Sequence, residues 1–169
     1  MKVTTKKGDA GITTLYNVVG VPKSEPIIDL LGDNDEVQAL LGILKTMNKN
    51  AMEKDILTKI QQYIYSIMGE LSGASHILVH DVQQWTNELE HEEEKIMKHT
   101  PIENSFIIPG ENRTEAWCQY VRTRVRSLER SYCTFAHDHE NVKKFIPFFN
   151  RLSDYLFVLG RKYATQHET

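Results

Sequence analysis

An all-α fold, a five-helix antiparallel bundle preceded by an ordered N-terminal arm, is what this sequence predicts. Three observations carry that prediction. From residue 33 onward, apolar residues recur at helical spacing in five successive segments. The connections between those segments are short and hold the Gly, Ser, Asn and Pro residues that stop helices. Residues 1–30 lack the helical period and carry three glycines and two prolines. They read as turns and short extended pieces.

The expected helices follow in order. Asp33 to about Asn48 places Val37, Leu40, Leu41, Ile43 and Leu44 on one side, with Asp33 or Asn34 as N-cap. Ala51 to about Leu71 repeats Ile56, Ile60, Tyr63, Ile64, Ile67 and Leu71 and ends at Ser-Gly. A third helix runs from about Asp81 to Lys98 through Trp85, Leu89 and an acidic stretch. A proline-containing connection, 100–110, leads to a long helix from about Arg113 to His137. The last spans about Asn141 to Tyr163, with Phe145, Phe148, Phe149, Leu152, Tyr155, Leu156, Leu159 and Tyr163 as core and Pro147 in its first turns. Short connections make neighbouring helices antiparallel. The 169 residues suffice for one domain, 1–169, divided into an arm (1–30) and a bundle (31–165).

Lys and Arg number 20 against 23 Asp and Glu, a formal net charge of -3. That balance argues against nucleic acid as a partner, since such binders carry a basic surplus. No stretch approaches the roughly 20 apolar residues of a membrane span, and the N-terminus has no signal-peptide pattern. Cys118 and Cys133 form no CxxC pair and read as free thiols. A cytoplasmic location is expected.

Two patterns suggest anion chemistry. The arm reads Thr5-Lys-Lys-Gly-Asp-Ala-Gly-Ile-Thr-Thr14, in which glycines allow backbone N–H groups to turn toward an anion while lysines and hydroxyls add direct contacts. A flexible tail is the alternative. On the fourth helix, Arg122, Arg126 and Glu129 share one narrow face. Such a face is either a surface ladder, with Glu129 bridging Arg126 and Arg130, or a seat for a polyphosphate. Asn150, Asp154 and Arg161 form a polar stripe on the otherwise apolar last helix, suggesting buried or interfacial hydrogen bonds. His137-Asp-His-Glu140 lacks metal-ligand spacing and suits carbonyl capping at a helix end.

Taken in order, these pieces resemble the PduO-type ATP:cob(I)alamin adenosyltransferases. The arm is similar to that family's TKxGDxGxT motif, Gly32-Asp-Asn-Asp-Glu36 to GxVDE, and Phe106-Ile-Ile-Pro-Gly110 to FILPG. Arg122-Thr-Arg-Val-Arg-Ser-Leu-Glu-Arg130 resembles ARxxxRRAER, and Asn150-Arg-Leu-Ser-Asp-Tyr-Leu-Phe157 resembles NRLSDxLF.

The resemblance implies a ferritin-like bundle that assembles as a homotrimer with sites between subunits. It implies transfer of the 5′-deoxyadenosyl group of ATP, with Mg²⁺, to cob(I)alamin. A catalytically weakened ATP- or corrinoid-binding or carrier protein of the same fold is the alternative. Carried over position by position, Thr5, Lys6, Gly8, Asp9, Gly11, Thr13 and Lys23 line the nucleotide. Arg126, Glu129 and Asn150 contact ATP, Asn150 also lies by the cobalamin, and Arg122 pairs with Asp35 across the subunit interface. Phe106 sits at the lower face of the corrin, making Arg126, Glu129 and Phe106 the catalytic set. The metal travels with ATP rather than on protein side chains. A reductase and an adenosylcobalamin-dependent enzyme are further implied partners.

Overall fold

The computed structural model describes residue 4 and residues 6–74, 79–102 and 106–165. Two short strands, β1 (Ile12–Thr14) and β2 (Val19–Pro22), pair antiparallel in a hairpin, with Thr13 opposite Val21. Helices α1 (Pro26–Met47), α2 (Ala51–Leu71), α3 (Val82–Met97), α4 (Arg113–Phe135) and α5 (Ile146–Ala164) follow. A 3-10 helix, Glu140–Phe145, precedes α5. No described helix is long and apolar enough to cross a membrane.

Three boundaries differ from expectation. α1 begins at Pro26, seven residues ahead of Asp33, with Pro at the helix start, where its missing N–H removes no bond. Asn34 is therefore no N-cap. It is fully buried, its Nδ2 donates to the Leu30 carbonyl at 2.7 Å, and its Oδ1 accepts from the Tyr132 hydroxyl at 3.1 Å. α4 stops at Phe135, and His139 Nδ1 lies 3.2 Å from the Phe135 carbonyl with its ring stacked on the Phe135 ring. The expected onset of the last helix, Asn141, falls in the 3-10 turn.

α2 matches its expected bounds because local chemistry sets both. Asn50 Oδ1 accepts from the backbone N–H groups of Met52 and Glu53, at 2.9 and 3.3 Å. At the other end Gly73 takes the left-handed conformation, φ 84°.

In cross-section α1 packs on α2 and α4, α4 on α5, and α5 on α3. Tyr63 of α2 closes the ring by stacking on Trp85 of α3, with centroids 4.2 Å apart. Leu41, Leu44, Leu57, Ile60, Ile64, Ile67, Leu128, Phe145, Phe148 and Phe149 fill the centre. Ile43, expected with the apolar face of α1, is 40% exposed.

One end of the bundle is tied by a buried carboxylate. Glu53, 5% exposed, accepts from Asn48 Nδ2 at 2.6 Å and from the Tyr163 hydroxyl, and pairs with Lys162. These contacts join the α1–α2 turn to the last turns of α5. Glu53→Ala should lower stability by about 2–3 kcal/mol in urea denaturation, because it strands three donors. An unchanged midpoint would show that the network contributes nothing.

Candidate active site

The arm folds its anion-type residues into one small loop. Gly11, with φ 75°, turns the chain into β1, and its carbonyl accepts the Lys23 N–H at 2.8 Å. The Gly11 N–H donates in turn to the Gly8 carbonyl at 3.2 Å. Gly8 lies so close to Lys23 that a Cβ there would stand 3.0 Å from Nζ. Lys6, Gly8, Asp9, Gly11, Thr13 and Lys23 thus gather on one turn-and-hairpin unit; Thr5 lies outside the described residues. The hairpin's far end sits on the close of α2: the Tyr16 N–H donates to the Ser72 carbonyl at 3.0 Å and Asn17 Nδ2 to the Gly73 carbonyl at 2.5 Å.

On α4 the surface-ladder alternative fails. Among the described residues no ion pair joins Arg122 or Arg126 to a carboxylate. Glu129 instead accepts from Asn150 Nδ2 of α5 at 3.2 Å. Arg122 donates through Nε to Gln119 Oε1 at 2.8 Å, and its guanidinium lies 5.9 Å from the centre of the Phe157 ring. Burial, and then the positive charge of Arg126, pull the Arg122 guanidinium below its usual pKa. Two uncompensated cations one turn apart repel each other, and an anion placed between them relieves that repulsion.

Asp35 is exposed on α1 and does not meet Arg122 within the chain. Its neighbours face α4 instead. Asp33 accepts from Ser131 Oγ at 2.8 Å, and Glu36 pairs with Arg124. This clamp was missed by sequence reasoning because partners some 90 residues apart leave no local signal. Of the polar stripe on α5, Asn150 joins Glu129 and Asp154 pairs with Arg151 at 2.8 Å.

The third candidate element, the segment before α4, shares no hydrogen bond or ion pair with the arm or with Arg126 among the described residues. Phe106 is 107% exposed and Ile108 87% exposed, two large apolar side chains presented to solvent on one short loop. Gly110, with φ 120°, turns that loop toward α4. Asn112 then caps α4 by accepting the Glu115 N–H at 2.9 Å. Glu115 reaches back to accept from the N–H groups of Gly110 and Glu111, at 2.7 and 3.3 Å. The N-x-x-E spacing of a capping box is visible in the sequence, but here the carboxylate passes the N-cap N–H and takes those of the two residues before it.

Comparison with known proteins agrees with this geometry. The sequence pattern of the cobalamin adenosyltransferase family matches residues 3–163. The cobalamin adenosyltransferase of Cupriavidus metallidurans is 32% identical over 165 residues, covering 95% of this chain and 86% of that protein. The corrinoid adenosyltransferase PduO of Citrobacter freundii is 28% identical over 172 residues, covering 99% of this chain and 51% of that protein. The chain therefore spans about half the length of this PduO protein. A solved variant of the PduO-type ATP:corrinoid adenosyltransferase from Lactobacillus reuteri, complexed with cobalamin and ATP, superposes with a TM-score of 0.88. It is 25% identical, with 96% of this chain and 93% of that one covered. With the family pattern matched over residues 3–163 and the fold in agreement, the chain belongs to the cobalamin adenosyltransferase family.

Proposed function

We propose that this protein transfers the 5′-deoxyadenosyl group of ATP to the cobalt of cob(I)alamin, releasing triphosphate. The observation that carries this is the Arg122/Arg126 pair, which has no carboxylate partner among the described residues, on the helix whose Glu129 accepts from Asn150. Cob(I)alamin is itself a strong nucleophile, so the protein need supply none. The cobalt attacks C5′ of ATP, the C5′–O bond breaks, and its electron pair leaves on the triphosphate.

The tasks left to the chain are alignment and charge stabilisation. Arg126 meets the phosphates, Glu129 and Asn150 fix the nucleoside end, and Lys6, Lys23 and the Gly8–Gly11 turn hold the triphosphate. Thr5, Asp9 and Thr13 complete the nucleotide loop. Mg²⁺ arrives on the triphosphate. Phe106 lies under the corrin, where an apolar ring excludes water and the lower base from cobalt.

Asp35 is exposed on α1 and Arg122 lies on a face only partly covered by its own chain, which supports the pairing of Arg122 with Asp35 of a second subunit in a homotrimer. A cytoplasmic setting, where a reductase supplies cob(I)alamin and a downstream enzyme takes the product, suits this chemistry. Anaerobic incubation with ATP and chemically reduced cobalamin should yield adenosylcobalamin, followed by its absorbance. Tight binding of both substrates without product would instead make the protein a carrier.

A further inference from the structure

We infer that Glu115 is a positioning residue for the corrinoid, the buried anchor that aims the Phe106 loop. The inference rests on the proposed corrinoid chemistry and concerns a residue outside every motif used to reach it. Phe106 and Ile108 bury almost nothing of themselves, and between them only Ile107 is half-buried, so side-chain packing holds their loop weakly. What holds its C-terminal end is a carboxylate. Glu115 is fully buried, and its Oε2 accepts both N–H groups at the loop's last corner, Gly110 and Glu111. Hydrogen bonds to a carboxylate are stronger than those between neutral groups.

Two further observations fix the direction in which the loop leaves. Gly110 has φ 120°, a conformation L residues rarely adopt, and this rotation points its N–H inward. Asn112, between the corner and Glu115, donates from Nδ2 to the Tyr163 carbonyl at 2.7 Å, tying the same corner to the last turn of α5. The corner is therefore fixed to two helices, and Phe106 stands four residues out from it. Moving the corner moves the aromatic ring. Among the described residues, no hydrogen bond or ion pair joins Glu115 to the arm or to the Arg126–Glu129 segment, which serve the nucleotide.

The expected signature is a split between substrates. Glu115→Ala should raise the KM for chemically reduced cobalamin about tenfold, equivalent to about 1.4 kcal/mol, and leave the KM for ATP unchanged. Glu115→Gln keeps a carbonyl oxygen to accept both N–H groups and should restore the cobalamin KM to near that of the wild type. Gly110→Ala tests the same corner without opening a hole in the core. A Cβ there meets nothing within 4 Å, so its effect is purely a backbone one, and it should reproduce the selective rise even if the Glu115→Ala protein fails to fold. Equal changes in both KM values, or a Gly110→Ala protein with the wild-type cobalamin KM, would overturn the anchor. A wild-type protein that does not use or bind cobalamin would overturn the proposed function and the anchor with it.

Discussion

Arg126→Ala should lower kcat/KM for ATP by about 10²–10³ while the far-ultraviolet circular dichroism stays that of the wild type. The size follows from removing one preorganised charged donor from a developing anion, about 2.7–4 kcal/mol. The selectivity follows from position: Arg126 is exposed and makes no ion pair among the described residues. Removing it also removes a repulsion felt by Arg122, so the fold loses nothing. Arg126→Lys should fall between the two, because it keeps the charge and loses the fork that grips two phosphate oxygens at once. A fall in helicity on Arg126→Ala would show that the arginine serves the fold and would return the face to a structural role.

Phe106→Ala should reduce turnover of cobalamin by roughly 10–100-fold, the range expected when a phenyl group worth about 1.5–3 kcal/mol of burial is lost from a substrate interface. Cobinamide has no lower base to displace, so its turnover should fall much less. The comparison is clean because Phe106 is wholly exposed in the free protein, and its truncation opens no cavity. Parallel kinetics with the two corrinoids decide the matter. Equal losses would confine Phe106 to general contact with the ring.

Much of this was legible in the sequence, and the exceptions have physical causes. α2 runs from Ala51 to Leu71 as expected because its unbroken 3.6-residue period and terminal Ser-Gly act locally, and the Asn50 cap that the structure adds is local too. α1 was placed late because Gly32-Asp-Asn-Asp has the composition of a helix start. In the fold, Asn34 spends its amide on the Leu30 carbonyl and the Tyr132 hydroxyl, a long-range use that no local pattern announces. Within the site, the spacing of Arg122, Arg126 and Glu129 put them on one face, but spacing is blind to pairing. Whether Glu129 would take a neighbouring arginine or Asn150 depended on where α5 packs. Glu115 was open to discovery through N-x-x-E, yet its weight appears only when the loop before it proves to bury so little.

The Glu115 anchor also turns α4 into a measuring rod. In the proposed reaction, the corner that aims the corrin-facing ring is gripped at Glu115 and the phosphates are met at Arg126, eleven residues later on the same uninterrupted helix. At ~1.5 Å per residue, these two stations stand about 16 Å apart along the axis. The distance is set by backbone hydrogen bonds inside one helix rather than by loops or a domain hinge. An in-line displacement tolerates little error between nucleophile and carbon, and within each subunit a rigid helix holds the spacing of these two stations constant.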